Sequence, residues 1–97
     1  MVTYIALSSF TDQGIRNVKD SGKRAEAVKE AAKKFGAQMT QIYWTLGKYD
    51  VVAIIEAPDD ASATAFALAI GMGGNVRTQT LRAFTSDEMS DILDKLG

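Results

Sequence analysis

The chain contains neither histidine nor cysteine, and these two absences exclude several kinds of site. Without cysteine there can be no disulfide, no thiolate metal centre, no iron–sulfur cluster and no cysteine nucleophile. Without histidine the chain lacks the commonest general base, the commonest zinc ligand and the usual axial ligand of haem. Acid–base chemistry is left to carboxylates, lysine and tyrosine. The only metal site still possible is a hard cation on oxygen ligands. We predict no metal site and no cofactor.

The sequence also lacks an excess of charge of either sign, with 11 basic and 12 acidic residues. No global field would gather phosphate backbones or an anionic bilayer, so we predict neither nucleic acid nor membrane as a partner. The opening residues MVTYIALSSF have no basic start and no long apolar stretch, unlike a secretory signal. This predicts a cytoplasmic location.

Length and composition are typical of one soluble globular domain. The 97 residues are 46% hydrophobic and 24% charged. We find no repeat, no linker and no low-complexity segment, so residues 1–97 are predicted to form a single domain.

Hydrophobic spacing predicts four strands and three helices longer than a single turn. The residue types and periodicity predict strands over 2–10, 37–46, 50–57 and 75–84 and helices over 21–35 and 61–72, with a last helix after Thr85. Gly36 is the predicted terminator of the first long helix, and Asp59 or Asp60 is the predicted cap of the second. Thr85 and Glu88 stand at the spacing of a capping box.

This order of elements predicts an α+β fold of the ferredoxin-like type, βαββαβ with an added C-terminal helix. Right-handed crossovers would place both long helices on one face of a four-stranded antiparallel sheet. Strands one and three, the most apolar of the four, would be central.

The sheet face away from the helices is predicted to be apolar as well, because strands one and three carry apolar residues on both sides. Neighbouring residues of a strand point to opposite faces, and both neighbours are apolar in the pairs Ile5 and Ala6, and Val52 and Ala53. An exposed apolar patch of this kind marks an interface or a groove. We therefore predict a homodimer, and possible higher oligomers, in which two sheets meet through their open faces around a cavity. The alternative is a monomer whose terminal helix folds over the open face.

Strand alternation selects the candidate ligand contacts. Even-numbered residues of strand two share a face with odd-numbered residues of strand three. If Ile5, Leu7, Val52 and Ile54 face the helices, the open face carries the predicted ligand-binding residues, which are Tyr4, Ser8, Trp44, Tyr49, Thr80 and Arg82. Arg82 would meet an anionic group on the ligand. The alternatives are that Trp44 and Tyr49 pack across the dimer seam and that Arg82 is a solvated edge residue.

The segment GKYDVVAIIEAPDDASATAFALAIGMGGNVRTQTLRAF resembles the GYD-domain proteins, small bacterial and archaeal proteins named for a Gly-x-Tyr-Asp element, here Gly47, Tyr49 and Asp50. With the opening strand, the resemblance covers nearly the whole chain. It implies a dimeric α+β barrel and a bacterial or archaeal source. The wider group includes cofactor-free monooxygenases, haem enzymes and effector-binding domains, and the absence of histidine separates this chain from the haem-binding members.

The residues leave three functions open and assign no catalytic residue. The first is binding of a small, aromatic or anionic molecule in the cavity. The second is a cofactor-independent monooxygenase or isomerase with Asp50 or Glu56 as the acid–base group. The third is a structural dimerisation domain. Within the motif, Gly47 is interpreted as a turn glycine and Asp50 as a capping or pairing residue at that turn.

Overall fold

The computed structural model describes residues 1–97 and has the predicted order of elements. The elements are β1 (Val2–Phe10), α1 (Asp12–Arg16), α2 (Ser21–Ala32), β2 (Gln38–Trp44), β3 (Val51–Ala57), α3 (Asp60–Met72), β4 (Val76–Ala83) and α4 (Ser86–Asp94). A short 3-10 turn precedes α2, and another follows it. None of the helices has the length and hydrophobicity needed to span a membrane.

The four strands form one antiparallel sheet in the order β2-β3-β1-β4. The two most apolar strands, β1 and β3, are central, as predicted. Helices α2 and α3 pack on the same face of this sheet. The ferredoxin-like α+β fold is confirmed.

The predicted helix boundaries rest on local hydrogen bonds. Gly36 adopts the left-handed conformation, with φ of 67°, directly after the turn that ends the α2 segment. The carboxylate of Asp59 accepts a hydrogen bond from the backbone N–H of Ser62 at the start of α3. Thr85 and Glu88 form the complete capping box of α4.

The core between sheet and helices is built largely from small side chains. Phe66 of α3 is its largest fully buried member, at 1% exposure, and its ring lies 5.8 Å from that of Phe35. Most of its other members are alanines, among them Ala32 and Ala57, which are completely buried. Small residues let the helices approach the sheet closely where they touch it.

The assignment of the two sheet faces was wrong, although most of the grouping of residues was right. Cross-strand pairing aligns Tyr4 with Ile55 and Arg82, and Ala6 with Ala53 and Thr80, as the alternation predicted. This set, however, faces the helices. Tyr4, Ala6 and Ser8 are buried there. Because both sets are apolar, hydropathy does not distinguish the two faces. Side-chain size does, since alanine and serine lie under the helices.

The opposite face, which we call the outer sheet face, presents an apolar stripe across β3, β1 and β4. Its members are Ile5, Leu7, Val52, Ile54 and Leu81. No helix of the chain covers this stripe. Met89 and Leu93 of α4 remain exposed, as does Leu96 just after it, and the shortest dimension of the molecule, 17 Å, accommodates one sheet and one layer of helices. Within this chain, the alternative in which α4 folds over the open face is not realised.

Candidate functional site

A cavity of about 360 Å³ lies between the sheet and helices α2 and α3. Hydrophobic residues make up 19 of its 26 lining residues. The sheet contributes Ala6 and Ala53, and the helices contribute Ala31, Ala63 and Ala67. Each of these positions carries only a methyl group, so the layers are held apart by larger neighbours and leave the space unfilled. This cavity lies inside one chain, whereas the cavity between two sheets of a dimer stays a prediction.

One end of this cavity is closed and the other is open. At the closed end, Phe66 and Met39 are buried. At the other end, the first turn of α2 lies near the end of β2, and Trp44 is 49% exposed while still lining the cavity. The indole of Trp44 therefore lies where the cavity meets solvent. Trp44 is also the only tryptophan, so its fluorescence reports on this entrance.

Two hydrogen-bonded pairs supply polarity along the sheet side of the cavity. The hydroxyls of Ser8 and Thr78 lie 2.9 Å apart. The hydroxyl of Tyr4 donates to the carboxylate of Asp60, at 2.5 Å, at the start of α3. Burial of the phenol and this hydrogen bond raise the pKa of Tyr4 to about 12, so it is a neutral donor at ordinary pH.

The structure brings four of the six predicted ligand-binding residues together. Tyr4, Ser8, Trp44 and Thr80 all line the cavity. These four residues lie on the same face of the sheet because of the registers in which β1 pairs with β3 and β4 and β2 pairs with β3. A bulge between Met39 and Gln41 shifts the alternation of β2, so that Met39 also faces the helices.

The other two predicted residues, Tyr49 and Arg82, do not line the cavity. Tyr49 precedes β3 in an irregular turn, where strict alternation fails, and its hydroxyl donates to the side-chain oxygen of Gln79 at 2.8 Å. Arg82 lies on the edge strand β4. Its guanidinium lies 3.6 Å from the carboxylate of Glu88 and 4.3 Å from the ring centroid of Phe84. It faces a separate open groove of about 710 Å³ between α3 and β4, which Thr80 and Tyr4 also line.

The sequence prediction missed Arg24, which lines the cavity from the first turn of α2. It lies among the lysines and glutamates of that helix and was not singled out from them. A signal was nevertheless present. Arg24 precedes Val28 by four residues, and side chains four apart share one face of a helix. Arg24 therefore continues the apolar stripe that contains Val28.

The Gly-x-Tyr-Asp element holds the β2–β3 turn against the end of β1. Gly47 has φ of 127°, a conformation that favours glycine. The backbone N–H of Asp50 donates to the carbonyl of Ser8 at 2.8 Å, and the Asp50 carboxylate accepts from the backbone N–H of Phe10 at 2.8 Å. Thr45 donates to the carbonyl of Tyr49 at 2.6 Å. The motif is thus engaged in structural contacts.

The model of the GYD domain matches residues 4–93. The chain belongs to the GYD family. A GYD relative from Thermus thermophilus, named "Glutamine synthetase and cystathionine beta-lyase binding protein", is 34% identical over 97 residues and aligns over 99% of each chain. The crystal structure of TTHA0845 from the same organism matches with a TM-score of 0.56 and 26% identity, covering 89% of this GYD protein and 96% of that chain.

The contacts of the motif predict a specific loss of stability when Asp50 is replaced. Asp50→Ala removes the acceptor of the half-buried Phe10 N–H and should lower the free energy of unfolding by about 1–3 kcal/mol. Asp50→Asn keeps an acceptor oxygen and should lose less. Urea unfolding followed by circular dichroism measures both, with Lys48→Ala in the same turn as the control. Equal losses for Asp50→Ala and Lys48→Ala would contradict the structural role.

The raised pKa of Tyr4 predicts a loss of stability at alkaline pH. Since the folded-state pKa of about 12 exceeds the ordinary value of 10.0, the neutral phenol stabilises the fold fully below pH 10, and this contribution disappears as the pH rises through 12. Urea unfolding of the wild type should show this decline, and Tyr4→Phe should lack it. Tyr43→Phe, on an exposed tyrosine, is the control. An identical decline in the wild type and in Tyr4→Phe would disprove this assignment.

Proposed function

We propose that this GYD protein is a binding module that holds a small, largely apolar molecule in the cavity between its sheet and helices α2 and α3. The observation that carries the proposal is the cavity itself. Its volume of about 360 Å³ lies within the range of about 300–1,000 Å³ usual for small-molecule sites, and its lining is mainly apolar with a few polar groups.

The lining favours binding over the enzyme alternative. The carboxylates considered for acid–base chemistry, Asp50 and Glu56, do not line the cavity. Asp50 is held by the backbone of β1, and Glu56 pairs in register with Thr3 on the outer sheet face. The cavity therefore offers an apolar volume, hydroxyl groups and the guanidinium of Arg24, which suffice to bind a molecule and to orient it.

The binding proposal predicts that filling the cavity abolishes binding. Ala67→Leu places three extra carbon atoms in the cavity, whereas Ala65→Leu places the same atoms on the exposed side of α3. Calorimetry with 1-octanol as the probe should show binding to the wild type and to Ala65→Leu. Ala67→Leu should lower the affinity by about tenfold or more, since about 1.4 kcal/mol of lost contact is already a factor of ten.

Trp44 fluorescence locates the bound probe in the same titrations. A change on adding octanol that is absent in Ala67→Leu would place the probe beside the indole. Absence of octanol binding to the wild type, or equal binding to both leucine variants, would refute the cavity as the site.

We also propose that two copies pair through the outer sheet face. What supports this is the uncovered stripe of Ile5, Leu7, Val52, Ile54 and Leu81, which crosses three adjacent strands. Removing a stripe of this size from water is a strong driving force for association. A second copy has the same stripe and is therefore a complementary partner under twofold symmetry.

The dimer proposal is tested by sedimentation at micromolar concentration. The wild type should sediment as a dimer, and Leu81→Lys should shift it to the monomer because a lysine ammonium in the seam would lose its hydration. Leu68→Lys, on the exposed side of α3, is the matched control and should leave the dimer intact. A folded wild-type monomer at this concentration would contradict the proposal.

A second candidate function is binding of another protein. The Thermus relative is named for binding glutamine synthetase and cystathionine beta-lyase. In this chain, the surface that favours such a role is the exposed apolar stripe formed by Met89 and Leu93 of α4 and by Leu96 just after the helix. These side chains are exposed in the single chain and do not belong to the stripe of the outer sheet face.

The protein-binding candidate predicts that Leu93→Ser weakens capture of purified glutamine synthetase by the immobilised chain. The same variant should leave octanol binding unchanged, because α4 does not line the cavity. Ser90→Ala on the same helix is the control. Undiminished capture by Leu93→Ser would exclude this stripe as the contact.

A further inference from the structure

Arg24 is the one charged side chain among the residues that line the cavity. It lies at the open end, where Ser21 and Asn75 are its polar neighbours in the lining and Trp44 forms part of the rim. The rest of the cavity is apolar apart from hydroxyl groups. A ligand that fills this space therefore meets a single positive charge, at the entrance.

The positive charge of Arg24 is fixed in place but not compensated. Its guanidinium donates to the carbonyls of Asn17 at 2.8 Å and Gly14 at 3.4 Å and to the hydroxyl of Ser21 at 3.3 Å. All three partners are neutral. No carboxylate lies within ion-pair distance, since the two ion pairs of the chain are Lys33 with Glu30 and Arg82 with Glu88.

These contacts leave donors available. A guanidinium carries five N–H groups, and the three hydrogen bonds use one on Nη1 and two on Nη2. The Nε–H group and one Nη1–H group remain. An arginine with two unused donors and no anionic partner is suited to a carboxylate or a similar oxyanion.

We propose that the cavity takes an amphipathic monoanion, with its apolar body between sheet and helices and its carboxylate on Arg24. This inference rests on the proposed function and specifies the class of ligand. A second negative charge deeper in the ligand would have no cation to pair with and would lose its hydration. A neutral apolar molecule would fit the volume but would leave Arg24 uncompensated.

The test compares two probes that share an alkyl chain, octanoate and 1-octanol, by calorimetry. The wild type should bind octanoate about tenfold or more tightly than octanol, as expected for charge-assisted hydrogen bonds. Arg24→Gln should lower the affinity for octanoate about tenfold more than the affinity for octanol, and so remove that preference. Arg16→Gln, on a nearby exposed arginine outside the cavity lining, should change neither affinity.

The outcomes separate this inference from the binding proposal. Equal affinities of the wild type for the two probes, or a preference that survives in Arg24→Gln, would overturn the anion assignment while the cavity remains a site for apolar molecules. Absence of binding by both probes would overturn both proposals. Circular dichroism serves as the check on folding of Arg24→Gln. If that variant does not fold, the wild-type preference and its retention in Arg24→Lys decide the question.

Discussion

The two long helices of this chain can cover only one face of a sheet whose two faces are both apolar. One apolar face is therefore buried under the helices, and the other stays uncovered. The covered face holds Tyr4, Ala6 and Ala53 under α2 and α3, and the opposite face leaves Ile5 and Ile54 partly exposed. A chain of 97 residues has a small buried core. The apolar stripe that stays uncovered is therefore a substantial part of its apolar surface.

The same choice of side chains that lets the helices approach the sheet also leaves a space between them. Alanine on both layers gives close contact at Ala32 and Ala57, where neighbouring side chains meet. Near the first turn of α2, larger residues line the rim of the cavity between the sheet and the helices. The alanines inside the cavity leave the space between these two layers empty. The space of about 360 Å³ is partly open to solvent and mainly apolar, so a ligand that filled it would remove apolar surface from water.

The sequence predicted element order, helix caps and cross-strand neighbours because each depends on local chemistry or on the two-residue repeat of a strand. Asp59, Thr85 and Gly36 act within one turn of their own position. The direction of the faces was not predictable from hydropathy, since both are apolar. Tyr49 was predicted to share a face with Trp44, but it lies in a turn where the alternation of a strand does not apply. Arg24 was missed because a charged residue was not expected on the apolar stripe of α2.

The residues that name the family act on the cavity from a distance. Asp50 binds the backbone of Ser8 and Phe10, and the next residue, Val51, pairs with both Ser8 and Trp44. The turn that contains the motif therefore fixes the end of β2 against β1, and with it the indole at the cavity entrance. A motif at this position need not touch a ligand to matter for binding. It connects the ends of the strands that carry Trp44 and Ser8, and both of these residues line the cavity.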